Sequence, residues 1–134
     1  MLRAASILLH AFLAVGAIAA GQAFARHPDG HDLAMDTRWL QGSPFRDFRI
    51  PGLFLALVIA PANLASALLL WRRHRGGPPL ALATGLLLVV WLAIQTAIIG
   101  VRHWSQAVWW LLFPLVALLG WLQLRDRRGA EQAR

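Results

Sequence analysis

Four apolar stretches constrain this chain more than any other feature: residues 4–24, 51–70, 80–100 and 107–124 take up most of its 134 positions. At about 1.5 Å of rise per helical residue they extend roughly 27 to 32 Å, matching a bilayer hydrocarbon core of about 30 Å. The predicted fold is all-α, an integral membrane four-helix up-down bundle forming a single domain over residues 1–134. Short connections at 72–79 and 101–106 make successive spans antiparallel neighbours. Gly76-Gly77-Pro78-Pro79 reads as a break in the helix.

Only 14% of the residues are charged, against about 25% in soluble domains. The arginines gather at span ends. With the N-terminus inside, Arg3, Arg72, Arg73, Arg75, Arg125, Arg127, Arg128 and Arg134 face Asp126 and Glu131 and leave a net +6. The outer segments hold five arginines and four aspartates, a net +1, so the positive-inside bias puts both termini in the cytoplasm. Thirteen arginines and no lysine, beside abundant Ala, Leu and Gly, point to a GC-rich bacterial genome and hence to the bacterial plasma (inner) membrane. The basic tail 125–134 is expected to touch anionic lipid, not nucleic acid. With no cysteine there is no disulfide and no thiolate chemistry.

The first span has a rival reading as a signal peptide, since Met1–Arg3 is a short basic start and Ala23-Phe24-Ala25 resembles a cleavage site. Its length exceeds the roughly 7 to 15 residues of a signal core, so retention is expected.

Residues 25–50 form the one substantial loop, and its signals predict order. His27-Pro28-Asp29-Gly30 has the chemistry of a tight turn. Asp36 is placed to cap a short helix through Trp39 and Leu40, which Gly42 ends in a left-handed conformation. Ser43 before Pro44 predicts a second short helical turn, with Asp47 near its positive end. Trp39, Leu40, Phe45, Phe48 and Ile50 are too apolar for a free loop, so it is expected to lie on the membrane surface as a connector, a lid or a docking surface. Trp104, Trp109 and Trp110 would complete an outer aromatic belt, and Trp71 and Trp121 an inner one.

Inside the spans the polar side chains are His10, Asn63, Ser66, Thr84, Gln95 and Thr96. His10, Asn63, Ser66 and Thr84 fall within roughly 5 Å of one depth at about 1.5 Å per residue, a predicted polar layer that either binds a ligand or bonds helix to helix. Gln95 and Thr96 lie nearer the outer end. Close packing is expected at Gly16, Ala17, Ala20, Ala62, Ser66, Ala81 and Gly85, and bends at Pro61 and Pro114. His27 and His31 are separated by Pro28 and Gly30, which rules out helical i, i+4 ligation, so no metal site is expected. No nucleotide-binding glycine pattern and no nucleophile, base and acid set is present, so no catalytic residue is assigned.

The stretch from Trp39 to Leu53, with Ser43-Pro44-Phe45-Arg46-Asp47-Phe48-Arg49-Ile50-Pro51-Gly52 at its centre, resembles a segment shared by a family of small uncharacterised four-span bacterial membrane proteins. Such proteins carry a Pro-Asp/Ser-Gly turn after the first span and a Trp-containing third span ending near Gln, as Pro28-Asp29-Gly30 and Trp91 with Gln95 do. The layout is more distantly similar to DoxX-like four-helix proteins. The resemblance implies retention of the first span and supplies no catalytic residues. The expected function is therefore non-catalytic and without cofactor: an accessory or interaction protein whose partners are membrane lipids and another membrane protein or a second copy. The alternative is a binder or carrier of a small apolar or lipid molecule between spans 1–3, with His10, Asn63, Ser66, Thr84 and Gln95 as candidate contacts and residues 25–50 as lid.

Overall fold

A hydrocarbon interior offers no hydrogen-bond partner to a backbone, and an α-helix satisfies its N–H and C=O groups internally. The computed structural model, which describes residues 1–133, answers with four helices. They are α1 (Leu2–Arg26), α2 (Arg49–Trp71), α3 (Gly77–Ile99) and α4 (Ser105–Gln132). All four are long and apolar enough to cross a membrane, as in a multi-pass membrane protein, and no strand occurs among the described residues.

Local chemistry sets the helix limits. At the start of α2, Asp47 Oδ1 accepts the Arg49 N–H at 2.9 Å, and Pro51 sits in the first turn, where a missing N–H costs nothing. Asp47 therefore serves α2 and not a turn of its own. The helical turn expected after Ser43 is absent: Ser43 Oγ accepts the Phe45 N–H at 3.2 Å instead, a side-chain turn that leaves the chain extended enough to bury Phe48. Pro78 and Pro79, read as a break, open the first turn of α3, which starts at Gly77. The tail beyond Leu124 continues α4, and Arg127 Nη1 donates to the Arg75 carbonyl at 2.6 Å, tying this extension to the 72–76 turn.

Successive helices are neighbours, and α4 closes the ring against α1. Lipid tails are as apolar as leucine, so helices in a membrane associate through fit more than through burial. The tightest fit joins α3 to α4. A Cβ on Gly85 would lie 2.5 Å from Ala117 backbone atoms, and one on Gly120 would lie 2.5 Å from Leu82 N. On α1 the expected contact at Gly16 is not made, because Gly16 faces open space; the glycine pressed against α2 is Gly21, beside Ala56.

Pro61 shapes α2. Its ring would clash with the carbonyl four residues back. The turn Leu55–Ile59 just before it widens to π geometry, with the Ala60 N–H donating to Leu55 O. The part of α2 before this turn packs chiefly on α1, while residues 60–71 beyond it pack on both α1 and α3. In contrast, α4 runs through Pro114 as one helix.

Residues 27–48 fold onto one end of this bundle, the loop end. The Gly30 N–H closes a turn on His27 O at 3.0 Å, with Gly30 at φ 84°. Short 3₁₀ turns follow at His31–Leu33 and Thr37–Leu40, the second capped by Asp36 Oδ1, which accepts the Arg38 N–H at 2.8 Å. Gly42 at φ 84° reverses the chain, and the Phe48 N–H donates to Pro28 O at 2.8 Å, joining the loop's end to its beginning. The loop is more than a surface layer. Leu40 and Phe48 are buried with Phe24 and Ile99, and the Phe24 and Phe48 rings stack at 5.2 Å, while Ile50 stays exposed.

Candidate functional site

Because α2 diverges from α3 on the loop side of its π turn, side chains must fill or line the gap. Phe54 and Trp91 stack across it with centroids 4.6 Å apart, and beside them lies a cavity of about 440 Å³. Its walls are Phe12, Gly16 and Ala20 of α1, Trp91, Ile94 and Ile98 of α3, and Trp109 with Phe113 of α4. Leu13 and Ile59 line it as well, and Leu33, Met35, Leu40, Phe45 and Phe48 bring the loop over it. The Trp109 and Phe113 rings stack at 5.5 Å, so this wall is held in shape by its own neighbours.

Two carboxamides interrupt the apolar lining. Gln95 is half-buried, and its side chain joins no hydrogen bond among the described residues. Gln106 is committed to backbone: its Oε1 accepts the Arg102 N–H at 2.8 Å and the His103 N–H at 3.0 Å, and its Nε2 donates to Gly100 O at 2.9 Å. This one side chain closes the whole α3–α4 turn, a role hidden in the sequence because Gln106 reads as an ordinary loop-edge polar residue. Gln106→Leu, which leaves three backbone groups without partners, is expected to lower stability by about 2 kcal/mol in a detergent unfolding titration.

His103 Nδ1 and Ser105 Oγ, also in the lining, are 2.7 Å apart. The same Nδ1 accepts the Ser105 backbone N–H at 3.3 Å, so the contact is a helix-start bond, and no carboxylate pairs with His103 among the described residues.

Of the five residues expected to contact a ligand, only Gln95 lines the cavity. The other four form the interhelical layer on the far side of it. Asn63 Nδ2 donates to Ile59 O at 2.9 Å, which leaves Asn63 Oδ1 to accept the His10 Nδ1–H at 2.8 Å. Ser66 donates to Ala62 O at 2.8 Å and accepts the Thr84 hydroxyl at 3.0 Å. All four are at most 2 % exposed. Equal depth brings these four groups together as expected, but helix packing makes them the bundle's seam and leaves the cavity nearer the loop. Ser6 belongs to the same seam. It is buried one turn before His10, and Ser6 Oγ and His10 Nε2 are the two enclosed polar atoms without partners among the described residues. Their i, i+4 spacing was the available signal.

The loop residues divide similarly. Phe45 and Phe48 line the cavity, Trp39 is half-buried in the cluster behind them, and Asp47 starts α2. Trp109, expected in the outer belt, faces the cavity, while Trp104 and Trp110 remain exposed and Trp110 Nε1 donates to Thr96 Oγ1 at 3.3 Å.

Asp36 fixes the middle of the 27–48 loop. Arg38 donates from Nε at 2.8 Å and Nη2 at 2.5 Å, and from its backbone N–H, to this carboxylate. These bonds, the side-chain ones first, hold the Asp36 carboxyl below its ordinary value. A carboxyl depressed in the folded state contributes order above its unfolded-state value and loses it as pH falls through the folded one. The loop is therefore expected to keep its order through neutral and mildly acidic pH. It should exchange backbone amides over 36–41 faster only below the ordinary aspartate range, with Asp36→Asn showing the faster exchange already at neutral pH and no further rise on acidification.

His27 and His31 lie with ring centroids 6.2 Å apart, and no three His, Asp or Glu side chains converge among the described residues. In comparisons with protein-family models, curated proteins and solved structures, no match to this chain was found.

Proposed function

We propose that this is a non-catalytic protein of the bacterial plasma membrane that binds one small apolar or lipid molecule in the cavity beneath the 27–48 loop. The observation that carries this reading is the cavity itself: about 440 Å³, walled by aromatic and aliphatic side chains, with Gln95 as the one uncommitted polar group in its helical walls. Ligand sites have this character, mostly apolar with a few placed polar groups, and volumes of roughly 300 to 1,000 Å³. The ligand would carry a single hydrogen-bonding group for Gln95 on an otherwise apolar body. With both termini in the cytoplasm, as the arginine distribution favours, the cavity opens at the depth of the outer leaflet and the loop covers it from outside.

The accessory-protein reading rests on apolar helix faces such as Leu8, Val15, Leu57 and Leu111. Every membrane protein shows such faces to lipid, so they carry no information about a partner, and the cavity does. Organic extraction of the purified protein tests the choice. One molecule enriched over the bulk lipids to near equimolar amount supports the binder. Bulk lipid alone, together with a second polypeptide in fixed stoichiometry, makes the protein an accessory subunit.

A further inference from the structure

We propose that the end of the bundle opposite the loop holds a second binding site, one that takes a phosphate group presented by an anionic phospholipid or as a free ion. Three arginines from separate parts of the chain line one groove of about 550 Å³: Arg3 near the start of α1, Arg73 in the 72–76 turn and Arg127 on the extension of α4. A merely solvated basic face radiates its charges along a helix; these converge on one depression. None of the three is in an ion pair among the described residues, and Asp126 is the one carboxylate in the lining. Planar guanidinium forks suit phosphate oxygens better than any other side chain does. The groove is also lined by Leu2, an exposed apolar side chain along which an acyl chain can continue from the headgroup.

Arg73 is the telling residue. The end of α2 is a Schellman motif, with the His74 N–H donating to Leu69 O at 2.9 Å and the Arg73 N–H to Leu70 O at 3.2 Å. The motif puts Arg73 at φ 54°, a left-handed position where glycine is the comfortable residue. An arginine there strains the turn and contributes only its side chain, which lines the groove. Arg127 is already fastened, since its Nη1 donates to Arg75 O at 2.6 Å, and its other N–H groups remain for a ligand.

The test uses the full chain in phosphatidylcholine nanodiscs, with and without phosphatidylglycerol, and compares Arg73→Gly, Arg127→Gln and Arg128→Gln. Arg128 carries the same charge but does not line the groove. Native mass spectrometry is expected to show one retained phosphatidylglycerol, reduced at least about tenfold by Arg73→Gly and by Arg127→Gln but not by Arg128→Gln. Arg73→Gly relieves the strained turn, so its melting temperature should equal or exceed that of the wild type, which separates lost binding from lost folding. A parallel arm replaces chloride by inorganic phosphate at equal ionic strength. A melting-temperature rise that depends on Arg73, without lipid retention, supports the site with a free ion as its ligand. Equal loss of binding in all three variants, or no binding in either arm, overturns the proposal.

Discussion

Gly16→Phe is expected to abolish ligand binding while leaving the protein at least as stable as the wild type. Gly16 lies in the middle of α1, lines the cavity, and has nothing within 4 Å of where a Cβ would stand. The added Cβ meets nothing, and the ring beyond it is expected to occupy space a ligand would use. It also lies four residues after Phe12, within reach on the same helical face. Exchanging a mid-helix glycine for a better helix former contributes up to about 0.5 kcal/mol, and the loss of cavity volume should weaken binding by at least about tenfold, or 1.4 kcal/mol. A substitution that damages binding through misfolding lowers both quantities. Here they move apart, which a denaturation series and a binding titration on the same preparation would reveal.

Gly120→Leu has the opposite character. Its Cβ would stand 2.5 Å from Leu82 N and 2.7 Å from Leu82 Cα, both backbone atoms that cannot rotate aside. The α3 and α4 helices must then separate along the interface where they are closest, and Gly85 against Ala117 loses its fit as well. Overpacking typically costs about 1 to 3 kcal/mol, and with backbone as the obstacle the upper end or more is expected. Gly129→Leu, on the exposed extension of α4 with nothing within 4 Å, should leave the unfolding midpoint in place. Equal midpoints for Gly120→Leu and Gly129→Leu would show that the α3–α4 approach is not what holds the bundle.

The difference between these two glycines marks where the sequence stops being legible. Apolar length alone locates four spans, since a bilayer demands it, and local chemistry predicts the Gly30 turn, the Asp36 cap and the left-handed Gly42. Depth counting predicts that His10, Asn63, Ser66 and Thr84 share a layer, because each rises by the same step along its helix. Facing is harder. Gly16 and Gly21 are both small residues on α1, yet five positions turn the helix by about 140°, so one presses on α2 and the other opens on the cavity. Pro61 announces a disturbance in α2 but not that it takes the form of a π turn, nor that the displaced half leaves room beside Trp91. The expected helix after Ser43 fails because burying Phe48 against Phe24 outweighs a weak local preference. The tail helix goes unseen because hydropathy ends at Leu124, whereas backbone hydrogen bonding has no reason to end there.

Native mass spectrometry of the protein released from mild detergent, wild type beside Gly16→Phe, tests the cavity most directly. One defined apolar small molecule is expected on the wild type and none on Gly16→Phe, with that adduct unaffected by Arg73→Gly. A wild type that carries no such molecule, or a Gly16→Phe protein that retains it equally, would contradict a binding role for the cavity.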